Sequence, residues 1–295
     1  MPVIIESGLH DSVMRHPRYE IHHSRDNYDD YRPFPTKMEP VALHHHQFYE
    51  VFYFISGNIT YFVENRAYHL NPGDLLLISP LELHQPMFVP AFGFYERIVL
   101  WLEESLISDL STAGISLFDC FYRGHSKKSN LIHIPKQMQT SMQTLLDNLC
   151  VEMQSPTALS PLMERALITQ ILCQLNRYAT DTPKTDASFS RMPAPVAAVI
   201  DYINENLGDD LSLETLAAQC YFSKQHLLRT FRSAMGLSVH QYIQKKRLLT
   251  ATQYIQNGCS PKEAAILCGF SDYSVFYRAF KKEYGFPPSK LAKQP

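Results

Sequence analysis

The last hundred residues of this 295-residue chain contain the same pattern twice. Cys220-Tyr221-Phe222-Ser223 is matched 48 positions later by Cys268-Gly269-Phe270-Ser271. Leu227, Arg229, Phe231 and Gly236 are matched 49 positions later by Phe276, Arg278, Phe280 and Gly285, so one inserted residue explains the change of offset. Such a repeat confines the region to folds in which one supersecondary unit occurs twice. Each copy reads helix, tight turn, helix, glycine. Ser212 is placed to cap a helix over Leu213 to Cys220. Ser260-Pro261-Lys262-Glu263 supplies an N-cap, a proline at the first helical position and the glutamate of a capping box. After the turn, Ser223 or Ser271 is expected to cap the next helix, whose buried stripe runs through Leu227 and Phe231, or Phe276 and Phe280. Two helices joined by so short a turn match the helix-turn-helix, whose second helix enters the major groove of DNA.

The face left outside each second helix is polar. Ser223, Lys224, Gln225, Leu228, Arg229 and Arg232 lie on the first; Tyr273, Ser274, Tyr277, Arg278 and Lys281 lie on the second. Glutamine and arginine read base edges, whereas lysine, serine and tyrosine more often hold phosphates. An arginine at the same register in both copies favours nucleic-acid contact over a solvated face or an internal salt bridge. Charge is divided in the same sense. Residues 193–295 hold 12 Lys/Arg against 8 Asp/Glu, and residues 1–192 hold 15 against 21, so the basic part is the one suited to phosphates.

The stretch from Leu213 to Leu291 resembles the DNA-binding domain of the AraC/XylS family of bacterial regulators. The matching text is LETLAAQCYFSKQHLLRTFRSAMGLS, QYIQKKRLLTATQYIQ and SPKEAAILCGFSDYSVFYRAFKKEYGFPPSKL. The resemblance covers about a third of the chain and implies two helix-turn-helix units bridged by a long helix, roughly Val239 to Asn257. It also implies that both recognition helices enter successive major-groove segments on one face of the DNA. Tyr221 stands where a small residue is usual, as Gly269 is in the second copy; a non-glycine residue in a left-handed turn costs about 1–2 kcal/mol.

The first half of the chain reads differently. Phe48 to Ile55, Ile59 to Val63 and Leu75 to Ile78 are short aromatic and β-branched runs separated by Ser56-Gly57-Asn58 and Asn71-Pro72-Gly73-Asp74, a pattern of strands in a barrel or sandwich. From about Pro135 the period becomes helical, with Met138, Met142, Leu145, Leu149 and Met153 on one face and a second helix over Leu162 to Tyr178. Residues 179–192 are polar, contain Pro183 and read as a linker. The six cysteines are scattered without a C-x-x-C pair, which argues against a zinc knuckle, a redox motif or a disulfide framework. The opening Met1 to Ser7 lacks the pattern of a signal peptide, and no apolar run approaches the ~20 residues of a membrane helix.

Within this half, His44, His46, Glu50 and Gly57 form H-x-H-x3-E-x6-G, which resembles the first motif of cupin barrels. Gly73 precedes His84 at the spacing of the second. Met38, Leu81 and Phe88 depart from the motif residues, and Pro80 sits one residue late. His44, His46, Glu50 and His84 are ligand types suited to a divalent transition metal. The alternative is that they hydrogen-bond one another or an effector, and the effector pocket is preferred. Phe48, Phe52, Phe54 and either Tyr61 or Phe62 make its wall aromatic, a surface suited to a sugar or small aromatic molecule. Arg97 and Glu96 are placed just before a strand, as effector contacts or a surface pair, and His45 is expected on the outside.

The expected fold is two-domain: an N-terminal cupin-like β-barrel with following helices, and a C-terminal all-α domain with two helix-turn-helix motifs. The expected boundaries are 1–178 for effector sensing and dimerisation, 179–192 for the linker and 193–295 for DNA binding. The expected function is transcription regulation, more often activation, under a small effector such as a carbohydrate bound at His44, His46, Glu50, Phe52, His84 and Arg97. A catalytic role and a resident cofactor are not expected; the alternative is a metal-dependent cupin enzyme fused to a DNA-binding domain. Expected partners are double-stranded DNA, a second copy of the chain and, by the resemblance, RNA polymerase, with no membrane and a cytoplasmic location.

Overall fold

Alternation along residues 49–54 sets the architecture of the first half. Tyr49, Val51 and Tyr53 share one apolar cluster, Phe52 and Phe54 belong to another, and every one of these side chains is buried. A strand apolar on both faces must be covered on both. The computed structural model describes residues 12–27, 43–80, 82–88, 94–122, 129–181, 189–191 and 194–293. Met1 to Ser7, Met38, Leu81 and residues 182–188 and 192 of the expected linker lie outside the described residues. The chain forms two compact units, one of Met1–Val63 and Ala67–Ser190, the other of Glu64–Arg66 and Arg191–Pro295.

Ten strands occur among the described residues, all in the first unit except for Arg66 of β5 and Arg191 of β10: β1 Ser12–His16, β2 Tyr19–Asn27, β3 Tyr49–Ser56, β4 Ile59–Val63, β5 Arg66–His69, β6 Asp74–Ile78, β7 His84–Phe88, β8 Phe94–Leu102, β9 Leu131–His133 and β10 Phe189–Arg191. They make a six-stranded sheet, β1-β2-β8-β3-β6-β9, and a four-stranded sheet, β10-β5-β4-β7. Between the sheets lies a mostly aromatic core of Phe52, Phe54, Ile59, Tyr61, Val63, Tyr68, Leu76, Ile78, Tyr95, Val99 and Trp101. On the far side of the larger sheet lie the helices α1 Glu104–Leu110, α2 Lys136–Gln154 and α3 Ser160–Asp181. Met142, Leu145, Leu146, Leu149, Ile168, Ile171, Leu172 and Leu175 of α2 and α3 close over Ile21, Val51, Tyr53, Leu75, Leu77, Ile98 and Leu100. The Tyr19 hydroxyl donates to the Glu164 carboxylate and ties β2 to α3.

β1 and β2 were not expected from the sequence: Ser12–Asn27 is rich in His and Arg and lacks the aromatic or β-branched run that marks a strand. Arg97 and Glu96, expected just before a strand, lie inside β8. Met138 is 41% exposed and does not join the buried stripe of α2.

The second unit is helical: α4 Ala194–Glu205, α5 Leu213–Gln219, α6 Lys224–Met235, α7 Val239–Gln256, α8 Pro261–Leu267, α9 Tyr273–Tyr284 and a closing 3-10 turn, Pro288–Lys293. Ser212 accepts from the Thr215 N–H and caps α5; Ser238 with Gln241 and Ser260 with Glu263 form capping boxes for α7 and α8. α6 and α9 end on left-handed Gly236 and Gly285. The expected Ser271 cap is corrected: Asp272 caps α9, accepting from the N–H groups of Ser274 and Val275. The residue inserted between the two copies is therefore Ser271 itself, since Phe222 and Phe270 are 48 apart but the caps Ser223 and Asp272 are 49 apart. No described helix is long and apolar enough to cross a membrane.

Candidate nucleic-acid interface and effector site

In each helix-turn-helix unit the second helix is anchored by its apolar stripe. Leu227, Phe231 and Met235 fix α6, and Phe276, Ala279 and Phe280 fix α9. Helical periodicity then leaves the opposite stripe outside. Ser223, Lys224, Gln225, Leu228, Arg229 and Arg232 are all exposed, as are Tyr273, Ser274, Arg278 and Lys281, while Tyr277 is half-buried. Lys224 hydrogen-bonds Glu214 of α5, and this holds the Glu214 carboxyl below its ordinary value. Arg278 donates from Nε to the Ser274 carbonyl one turn earlier at 3.3 Å. Among the described residues neither Arg229 nor Arg278 forms an ion pair with a carboxylate, so both guanidinium groups face outward with charge to spend on a phosphate or a guanine.

The turns between the helices differ. Tyr221 has φ 59°, the left-handed region, with its side chain 94% exposed. Gly269 has φ 75°, and a Cβ there would lie 2.7 Å from Arg247 Nη2 and 2.9 Å from the Gly208 carbonyl oxygen. Arg247 of α7 is held there because it donates to the Leu207 carbonyl at 3.1 Å and the Asp209 carbonyl at 2.8 Å beyond the end of α4. Its part in the domain was not foreseen from the sequence, where it stands in an ordinary basic run.

In the first unit, Glu50 of β3, Trp101 of β8 and Glu20 of β2 stand side by side across three strands. One step along lie Phe52, Val99 and His22, then Phe54, Arg97 and Ser24. Neighbours in register share a face, so these side chains line the core between the sheets. Trp101 Nε1–H donates to Glu50 Oε2 at 2.8 Å. His46 places Nε2 2.9 Å from the same oxygen and Nδ1 2.9 Å from the Phe48 carbonyl. The His46 ring stacks on Phe48 at 3.9 Å. His84 is fully buried, with Nδ1 2.8 Å from the Glu82 carbonyl. Burial, with the nearby His44 and His46 charges second, pushes the His84 pKa well below the ordinary imidazole value. Burial pushes Glu50 the other way, but its hydrogen bond and charge interaction with His46 and the Trp101 N–H outweigh it, and the carboxyl lies below its usual value.

One donor atom from each of His46, Glu50 and His84 lies within 4.8 Å of the others. His44 pairs its backbone with His84 and sets its ring edge-on to the His84 ring at 4.2 Å, but it does not belong to that three-residue group. The rings of His44 and His46 are 6.4 Å apart, on a segment that is not a regular strand. His45, expected outside, is half-buried. Phe52 meets Tyr61 edge-on at 5.0 Å, and Arg97 lies over the Tyr95 ring at 4.7 Å. Glu96 faces away and pairs with His23 at 2.9 Å and Arg25 at 3.7 Å. Two wall residues escaped the sequence reading. Trp101 carries no motif, and His22 reaches the same face, tilted on Trp101 at 4.4 Å, only through the strand register.

Comparison with known proteins gives two family models on this chain: an AraC-like ligand binding domain over residues 39–172 and a helix-turn-helix domain over residues 216–294. The HTH-type transcriptional activator RhaR of Mannheimia succiniciproducens is 23% identical over 85% of this chain and 87% of its own length. A probable transcription factor, PqrA of Proteus vulgaris, is 34% identical over 28% of this chain and 69% of its own length. Among solved structures, a ToxT variant of Vibrio cholerae covers 94% of this chain and 97% of its own, at 13% identity and a TM-score of 0.40.

Proposed function

Because the chain belongs to the AraC/XylS family of transcription regulators, carrying both its DNA-binding and its ligand-binding domain, we propose that it activates genes for the uptake or breakdown of a small carbohydrate that it senses in its N-terminal barrel. The observation that carries this reading is the pair of exposed polar stripes on α6 and α9, with Arg229 and Arg278 at the same register. Gln225, Arg229 and Arg278 contact base edges; Ser223, Lys224, Arg232, Tyr273, Ser274, Tyr277 and Lys281 hold phosphates, and Leu228 makes apolar contact with a thymine methyl. His44, His46, Glu50, Phe52, His84 and Arg97 contact the effector. Aromatic walls beside a few convergent polar groups suit the mixed faces of a sugar ring. Activation is supported by the activator named among the relatives. Residues 1–178 act as the sensing and dimerising module, 179–192 as the linker and 193–295 as the DNA-binding module, with RNA polymerase as the partner at the promoter and the cytoplasm as the place of action.

Two measurements test this. DNA from upstream of the chain's own gene and its neighbours should be retained by the purified protein, with an affinity that falls steeply with salt as counterions are released. A panel of sugars should then include one that shifts both the melting of the first unit and the operator affinity; saturation at 100 times Kd adds about 2.7 kcal/mol. Salt-insensitive DNA binding refutes the interface. A thermal shift without any change in operator affinity refutes the coupling.

A further inference from the structure

We propose that Arg247 is a positioning residue: it locks α6 and α9 at one separation, so that one chain reads its two DNA segments at a single spacing. The proposal rests on the reading of α6 and α9 as the base-reading helices. Covalently, the two helix-turn-helix units are joined by α7, a helix of 18 residues and so about 27 Å long. α7 holds the second unit through Leu248, Ala251 and Ile255, which pack with Ala264, Phe276 and Phe280, and through the Lys245–Glu283 ion pair at 2.6 Å. It meets the first where Tyr242 lies edge-on to Phe231 at 5.6 Å. With this tie alone, the separation of the two units depends on one helix and its end contacts.

α4 supplies a second tie. Its body packs against α6, and Val196, Val199, Ile200 and Ile203 are buried along it. The chain that follows runs to the other unit. Gly208 lies so near α8 that a Cβ there would stand 2.9 Å from the carbonyl oxygen of Leu267, the last residue of that helix. Arg247 fastens this meeting. Its Nε donates to the Leu207 carbonyl at 3.1 Å and its Nη2 to the Asp209 carbonyl at 2.8 Å, while the same Nη2 lies against Gly269 in the turn before α9. The elements thus close a ring, from α6 through α4, residues 207–209 and the second turn to α7 and back to α6. A closed ring of packed elements holds one shape where an open chain holds many, and base readers need that fixity. Arginine suits the place. Its guanidinium is a fixed fork that spans two carbonyls two residues apart, whereas an ammonium is a single point. Among the described residues it meets no carboxylate within ion-pair reach, so its half-buried charge is given to the main chain. The turn of the first unit, where the Tyr221 side chain stands in solvent, has no such fastening among the described residues.

The test uses the full chain and DNA that it selects from a random-sequence pool. The positions at which Arg229→Ala and Arg278→Ala relax selectivity mark the segments read by α6 and α9. One base pair inserted or removed between them moves the second segment by about 3.4 Å and about 35°. Wild-type affinity, read by anisotropy, should fall about tenfold or more on either change, as when base contacts are lost. Arg247→Ala should bind the parent DNA more weakly, with its steep salt dependence intact, and lose less than about threefold on either change. Arg247→Lys, which keeps the charge and one carbonyl, should lie between. A part in stability alone would lower the melting temperature of both variants and leave the spacing penalty of the folded protein untouched. That full penalty retained in folded Arg247→Ala, or in Arg247→Lys where the alanine variant does not fold, overturns the proposal. A wild-type chain indifferent to spacing overturns it as well. A chain that enriches no sequence from the pool fails the DNA reading itself.

Discussion

Tyr221 and Gly269 occupy equivalent places in the two helix-turn-helix units, at φ 59° and 75°, yet only the second is enclosed. In the second unit the turn lies against Arg247 and the Gly208 carbonyl, so both backbone angle and space demand glycine. In the first, a tyrosine sits in the same strained region with its side chain almost wholly in solvent. The difference shows that a repeated fold position does not carry a repeated constraint. The turn geometry is common to both, whereas the tolerance for a side chain is set by whatever packs outside the repeat.

The sharpest way to break this comparison is Gly269→Ala. Strain at positive φ and overpacking against main chain together should cost about 2–4 kcal/mol, read as a shift in the urea midpoint of the helical transition. A variant as stable as the parent would mean that the second turn is no more enclosed than the first. Next in size come the arginines. Arg229→Ala and Arg278→Ala should each weaken operator binding by about 1–3 kcal/mol and relax selectivity at one position, while Lys281→Ala weakens operator and scrambled DNA alike. Fluorescence anisotropy with both DNAs decides it, and an unchanged affinity in the folded double variant removes α6 and α9 from the interface.

Smaller effects follow at the caps. Ser260 has a reciprocal partner, accepting from the Glu263 N–H at 3.2 Å and donating to its carboxylate at 3.0 Å. Ser212 shares its work with Asp210, which accepts from the Ser212 N–H and the Thr215 hydroxyl. Ser260→Ala should therefore cost more than Ser212→Ala within the ~0.5–2 kcal/mol range of cap deletions. Equal losses in paired melting curves would show that the two first helices are capped alike. The smallest effect belongs to Tyr221→Gly. Relief of strain, offset by the freer unfolded chain, should leave the protein more stable by about 0–1 kcal/mol, opposite in sign to Gly269→Ala. A clear destabilisation would show that the Tyr221 side chain is held by contacts after all.

Much of the DNA-binding unit was legible because its signals are local. Caps, a proline at the first helical position, glycines at helix ends and a period of three to four residues lie within one turn of the positions they govern. The cap misread there, Ser271 for Asp272, came from a one-residue insertion that text alignment placed after the serine and the backbone placed before the aspartate. The first unit was harder. Its turns and central strands were visible, but β1 and β2 are polar in composition; β2 is held by pairing with β8, a contact of long sequence separation, and β1 pairs with β2. For the same reason His46, Glu50 and His84 could be named from their spacing, whereas Trp101 and His22 join them through strand register. His44 was named from its two-residue spacing with His46, but the intervening chain is not a regular strand and the two rings diverge.

The alternation along β3 has a consequence for how such a protein can change over generations. Glu50, Phe52 and Phe54 face the enclosed core, while Tyr49, Val51 and Tyr53 form the floor on which α2 and α3 rest. A substitution at an even-numbered position therefore alters the core between the sheets, where we propose the effector binds, and leaves the helix floor its own volume. Duplicated copies of such a gene can diverge in the signal they answer while inheriting one seating for their helices, which makes the sheet a partition between the part of the molecule free to drift and the part obliged to stay.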